Sequence, residues 1–171
     1  MYNQAFDLYH AIFRMIHMIN RFQDNEILEI DRIRIWDFYL LFPYKVHQIR
    51  LNNNYADCIK YRKEFIKKEA NLYDYVYDGR KFLERLQPYQ LAALNCLASY
   101  GIIDTEALLN DKIKINDKKK LMNICSSIGG LSIEEKNTLS WLCLFFKTMP
   151  MNGTDGLKSR TKLLISKYDG N

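Results

Sequence analysis

Apolar residues dominate one stretch of the chain, from Glu29 to Pro43, which reads EIDRIRIWDFYLLFP. The pattern predicts a helix that begins near Asp31, whose carboxylate can cap early backbone N–H groups, and that ends at Pro43. Its apolar side chains extend most of the way round the helix: Ile30, Ile33, Trp36 and Leu40 on one face, with Ile35, Phe38, Leu41 and Phe42 beside them. A helix of this kind is typical of the middle of a core.

Four charged residues interrupt this helix, namely Asp31, Arg32, Arg34 and Asp37. A charge beside a buried surface is costly unless it is paired. Arg34 is three residues from both Asp31 and Asp37, so ion pairs within the helix are geometrically available. The simplest interpretation is a pair that keeps the helix soluble.

The rest of the chain is also mainly helical in pattern. Predicted helices cover Met1–Arg21, Tyr55–Leu72, Arg80–Tyr100 divided at Pro88, a short segment from Asp104, Asp117–Ile128, and Ser132 to about Lys147. Lys112 to Ile115 alternates as a brief strand does, and Thr161–Tyr168 is predicted as a terminal strand or extended arm. Tyr44–Leu51 is predicted as an irregular link.

Composition supports a mainly α protein. The 171 residues are 48% hydrophobic and include only 7 Gly and 3 Pro, which disfavours a turn-rich all-β fold. We expect a single domain over residues 1–171, with an N-terminal helical pair at 1–43. The order of helices, strand and glycine loop in 80–171 favours a winged-helix-like part with a short β-wing or a C-terminal β-arm.

The four cysteines lie far apart and form no Cys-x-x-Cys pair, so we interpret them as reduced core residues. The chain opens without a signal-peptide pattern and has no run of eighteen apolar residues. These features predict a cytoplasmic protein without membrane contact.

No pattern of residues predicts catalysis. His10 and His17 are seven residues apart, but no acidic or thiol residue has ligand spacing to both. Gly129–Gly130 and Gly153–Gly156 lack the spacing and the lysine of a nucleotide-binding loop. We therefore expect neither an enzyme nor a resident metal or cofactor.

The net charge of +5 permits contact with nucleic acid or an acidic partner without requiring it. One basic patch interleaves cations with Tyr61 and Phe65, and its members are Lys60, Arg62, Lys63, Lys67 and Lys68. It suits a nucleic-acid backbone, or it is a solvated helix face whose lysine stems cover apolar neighbours.

A second set of cations, Lys158, Arg160 and Lys162, is spaced two residues apart. If this part is extended, all three side chains project to one side of a strand. Such a row can contact phosphates or an acidic protein surface. Alternatively, it is a charged edge strand that resists unwanted pairing.

Three segments together resemble a known family: residues 2–14, residues 31–43, and residues 155–164 followed by Tyr168–Asp169. Pro88–Leu97 adds a looser match. The sequence is similar to the middle components of ABC-three component systems, which include the small C subunit of Lamassu-type bacterial defence systems. It departs from the family pattern at Lys162, where a small residue is expected.

The resemblance implies a non-enzymatic subunit that joins an SMC- or Rad50-like ATPase to an effector nuclease in anti-phage or anti-plasmid immunity. Arg32, Arg34 and the Lys158–Lys162 segment would then contact the ATPase, and DNA would be reached through the complex. The alternative is a stand-alone winged-helix DNA-binding regulator, whose binding would be sequence-selective and would weaken steeply with salt.

Overall fold

The computed structural model describes residues 3–70 and 74–164. Its helices are α1 (Leu8–Ile19), α2 (Ile30–Leu41), α3 (Ala56–Phe65), α4 (Gly79–Ser99), α5 (Thr105–Leu109), α6 (Lys118–Ser127), α7 (Ile133–Phe145) and α8 (Leu157–Thr161). Short 3-10 helices cover Gln4–Phe6, Pro43–Gln48 and Asn53–Tyr55, and the strands are β1 (Ile27–Glu29) and β2 (Lys112–Lys114). The predicted mainly α class is confirmed.

The chain folds into two compact units, Met1–Asp37 with Glu84–Leu131, and Phe38–Leu83 with Ser132–Asn171. The boundaries at 37/38 and 83/84 fall inside α2 and α4, so each of these helices contributes to both units. A single domain over 1–171 stays a prediction.

The first unit contains α1, α5, α6 and both strands. β1 pairs antiparallel with β2, with Leu28 opposite Ile113, and α1 packs against α6. The expected short β element is therefore present, but β2 pairs with a strand from the N-terminal region and not with one from 80–171. The sequence pattern did not predict β1, because only three residues form it.

The second unit packs α3 against α7. Trp141 of α7 is fully buried and donates its indole N–H to the Cys58 carbonyl oxygen of α3, at 3.0 Å. Phe42 and Phe82 meet edge to face, with ring centroids 4.9 Å apart. Aromatic packing of this type adds about 0.5–1.5 kcal/mol per pair beyond the area that it buries.

The predicted helix starts are confirmed where a capping side chain marks them. Asp104 and Asp117 cap α5 and α6, and Ser132 forms a capping box with Glu135 at the start of α7. Asn3 caps the 3-10 helix, whereas Asp7 caps α1. Each cap satisfies N–H groups that the first helical turn leaves unpaired.

Three predicted elements are wrong. α4 continues through Pro88, because Leu86 and Leu94 on either side of the proline are buried and their packing holds the helix together. α3 ends at Phe65 and does not reach residue 72. The strand or arm predicted over Thr161–Tyr168 does not begin as a strand, because Thr161 is the last residue of helix α8, and residues 165–168 lie outside the described residues.

In the described part of the chain, no helix is both long enough and apolar enough to cross a lipid bilayer.

Candidate functional site

A buried polar network occupies the first unit. The Arg14 guanidinium of α1 donates to both carboxylate oxygens of Asp37, at 2.6 and 3.2 Å, and Asp37 is 0% exposed. Gln90 of α4 donates to Asp37 at 2.9 Å. Asp37 is therefore held by two other helices, and the expected pairing with Arg34 is replaced by pairing with Arg14.

Arg34 belongs to the same network and is 6% exposed. Its guanidinium donates to the Gln90 side-chain oxygen at 3.1 Å and to Asp31 at 3.3 Å, which confirms the expected Asp31–Arg34 pair. Arg32 is also buried and donates to Glu29 at 2.8 Å. Arg34 is therefore held by Asp31 and by Gln90 of α4, and Arg32 is held by Glu29.

Arg14 and Gln90 complete this network, and the sequence prediction did not include them. Arg14 follows Ala11 by three residues and precedes Met18 by four, so it lies on the buried face of α1. That spacing was a usable signal. For Gln90 the only signal was its place in the looser family-like segment Pro88–Leu97.

Arg160 is also buried, and the extended row of three cations is wrong because α8 is helical. Its guanidinium donates to the carbonyl oxygens of Asp155 and Arg50, at 2.7 and 2.8 Å, and to the Asp155 carboxylate at 3.1 Å. It also lies 4.9 Å from the centre of the Tyr55 ring. Arg160 therefore fastens the loop before α8 to Arg50, while Lys158 is half-buried and Lys162 is exposed.

Lys162 lines a cleft of about 300 Å³ in the second unit. The described residues around it include four cations, Lys45, Arg80, Arg160 and Lys162, and one carboxylate, Asp78. Asp78 lies 3.8 Å from the Lys81 ammonium, and Asp155 balances Arg160. Cations therefore outnumber carboxylates in the lining of the cleft.

A tyrosine ladder, formed by Tyr44, Tyr75 and Tyr77, adjoins this cleft. Tyr75 stacks on Tyr44 with ring centroids 6.3 Å apart, and Tyr77 meets Tyr75 edge-on at 4.5 Å. The Lys45 ammonium lies 5.7 Å from the Tyr44 ring and 5.8 Å from the Tyr75 ring. Partial burial lowers the pKa of Lys45 from its ordinary value.

The predicted basic patch is exposed at Lys60, Lys63, Lys67 and Lys68. Phe65, between them, is 45% exposed. Arg62 is the exception, because it donates to the carbonyl oxygens of Val46 and Ile49 at 2.7 and 3.0 Å. Burial lowers the pKa of Arg62, and its role is to join α3 to the chain after α2. We call the four exposed lysines with Phe65 the lysine patch.

His17 and Cys125 form a pair that the sequence did not predict. The His17 Nδ1 atom lies 3.6 Å from the Cys125 sulfur, and Nε2 lies 2.9 Å from the Gly129 carbonyl oxygen. Burial raises the pKa of Cys125, so the group is a thiol and not a thiolate nucleophile at neutral pH. Across residues 3–70 and 74–164, no group of three or more His, Cys, Asp or Glu side chains could hold a metal ion.

The sequence matches the family described as ABC-three component (ABC-3C) system Middle Component 5 over residues 1–169. The comparisons with curated proteins and with solved structures give no match.

Proposed function

Since the chain belongs to the ABC-three component system Middle Component 5 family, we propose that it is a non-catalytic subunit bridging an SMC- or Rad50-like ATPase and an effector nuclease. The observation that carries this proposal is the extent of the match, residues 1–169. Such a complex, of which Lamassu-type systems are the example we favour, would act against phage or plasmid DNA. DNA would be reached through the assembled complex.

The lysine patch is the surface that we assign to the ATPase. Four exposed lysines and an exposed phenylalanine lie within residues 60–68, so an acidic partner surface with an apolar part could pair with the ammonium groups and cover the phenyl ring. The lysines of this patch are exposed, whereas Arg32, Arg34 and Arg160 are buried, which favours the lysine patch as the docking surface. The guanidinium groups of Arg32, Arg34 and Arg160 bind their own chain, so in the proposed complex these residues position other parts of this subunit.

Co-purification with the ATPase of the same system tests this surface. Lys63→Glu reverses one charge of the lysine patch, and a like charge facing an acidic surface costs enough to weaken binding by about tenfold or more. Lys119→Glu is the matched control, because Lys119 is also an exposed lysine on a helix. Equal ATPase recovery with both folded variants would refute the lysine patch as the docking surface.

A further inference from the structure

The cleft of the second unit has features of a ligand site that the bridging role does not require. Its volume of about 300 Å³ is at the lower end of the range for small-ligand pockets. Lys45, Arg80 and Lys162 come from three separate segments of the chain and line the same cleft. Several cations that line one cleft can donate charge-assisted hydrogen bonds to a single phosphate group.

We propose that this cleft binds single-stranded nucleic acid, with a backbone phosphate among Lys45, Arg80 and Lys162 and a base stacked on Tyr77. Tyr77 lines the cleft and is 91% exposed, so a base can reach its ring without a rearrangement of the protein. Proteins that bind single strands combine a cationic groove with aromatic rings on which bases stack.

The tyrosine ladder favours a single strand over a duplex. In a duplex the base faces are covered by their neighbours, whereas an unpaired base can stack on an exposed ring. Tyr75 lies next to Tyr77 and is held against Tyr44, which gives the ladder a fixed inner end. The Lys45 ammonium lies near the Tyr44 and Tyr75 rings, so the ladder and a phosphate-binding cation are adjacent.

The backbone at Lys162 adds an independent observation. Lys162 ends α8 in the left-handed conformation, with φ of 56°, a position that usually carries glycine. Glycine at this position would relieve the backbone, because it has no Cβ atom. The lysine accepts this strain and places an exposed ammonium at the cleft.

Fluorescence anisotropy of the full chain with a labelled oligothymidylate of about 15 nucleotides tests the proposal. We expect the single strand to bind more tightly than a duplex of equal length. Tyr77→Ala should weaken binding by about tenfold, while Tyr77→Phe, which keeps the ring, should retain it. Lys162→Gly should weaken binding and reduce the slope of log K against log salt by about 0.7.

The controls separate this surface from general charge effects. Tyr100→Ala removes another exposed tyrosine and Lys119→Gln another exposed lysine, and both variants should bind as the wild type does. Lys162→Gly also relieves the left-handed backbone, so lost binding with retained thermal stability cannot be attributed to unfolding.

Three results would overturn the proposal. The first is duplex binding as tight as single-strand binding, and the second is wild-type binding by Tyr77→Ala or by Lys162→Gly. The third is equal competition by polyglutamate, which would identify a site for an acidic peptide. None of these results bears on bridging, because bridging is measured with the ATPase and the nuclease present.

Discussion

The buried Arg14–Asp37 ion pair leads us to expect a large loss of stability when one of its two charges is removed. Asp37→Asn keeps the shape of the side chain but removes the charge that balances the buried Arg14 guanidinium. Arg14 and Asp37 have side chains that are 5% and 0% exposed, so water cannot replace the lost partner. Removing one member of such a pair typically costs about 3–5 kcal/mol.

Urea unfolding followed by circular dichroism measures this cost. With a slope of about 2 kcal/mol per molar urea, the unfolding midpoint of Asp37→Asn should fall by about 2 M. The double variant Arg14→Met/Asp37→Asn should lose less free energy of unfolding than the two single variants lose in sum, because it leaves no buried charge unpaired.

Asp78→Asn is the matched control, since Asp78 makes an exposed pair with Lys81 at 3.8 Å and asparagine can still cap the helix. We expect this variant to change the free energy of unfolding by at most about 1 kcal/mol. Two results would refute the buried network as the feature that holds α1, α2 and α4 together. The first is a loss of free energy of unfolding for Asp37→Asn as small as that of Asp78→Asn. The second is a loss for the double variant equal to the sum of the losses of the two single variants.

Three further predictions concern the rest of the chain. Burial lowers the pKa of His47 from its ordinary value of 6.5, so the unfolded chain binds more protons just below that pH. The free energy of unfolding should therefore fall as pH decreases from about 7.5 to 5.5, and His47→Gln should reduce this dependence. The same pH dependence in His47→Gln as in the wild type would show that His47 is not its source. Pro88→Ala should raise the free energy of unfolding by about 1–3 kcal/mol, because an exposed proline inside α4 becomes a good helix former, and a loss on urea unfolding would show that the proline is needed. Lys162→Gly should raise the melting temperature, because glycine adopts the left-handed conformation without strain, whereas a lower melting temperature would mean that the lysine side chain stabilises the fold.

Local signals predicted the helices well because they act within a few residues. Ser132 and Glu135 mark the start of α7 by contacts within one turn, and Gly101, in the left-handed conformation, follows the end of α4. The buried face of α2 was likewise evident from its apolar residues. The predicted division of α4 at Pro88 is wrong, because the tertiary packing of Leu86 and Leu94 outweighs the local cost of a proline inside a helix.

The candidate site was harder to predict because it depends on contacts between distant segments. Asp37 has an arginine three residues away in its own helix, yet it pairs with Arg14, 23 residues earlier. Lys45, Arg80 and Lys162 share a cleft although no spacing rule connects them. Sequence patterns identify which residues carry charge, whereas the fold decides which of those charges are enclosed.

The most direct test of the bridging role is to co-express a tagged ATPase with the effector nuclease of the same system, with and without this chain. The account predicts that the nuclease is recovered with the tagged ATPase only when this chain is present, and that all three proteins then elute together. Recovery of the nuclease with the ATPase in the absence of this chain would contradict it.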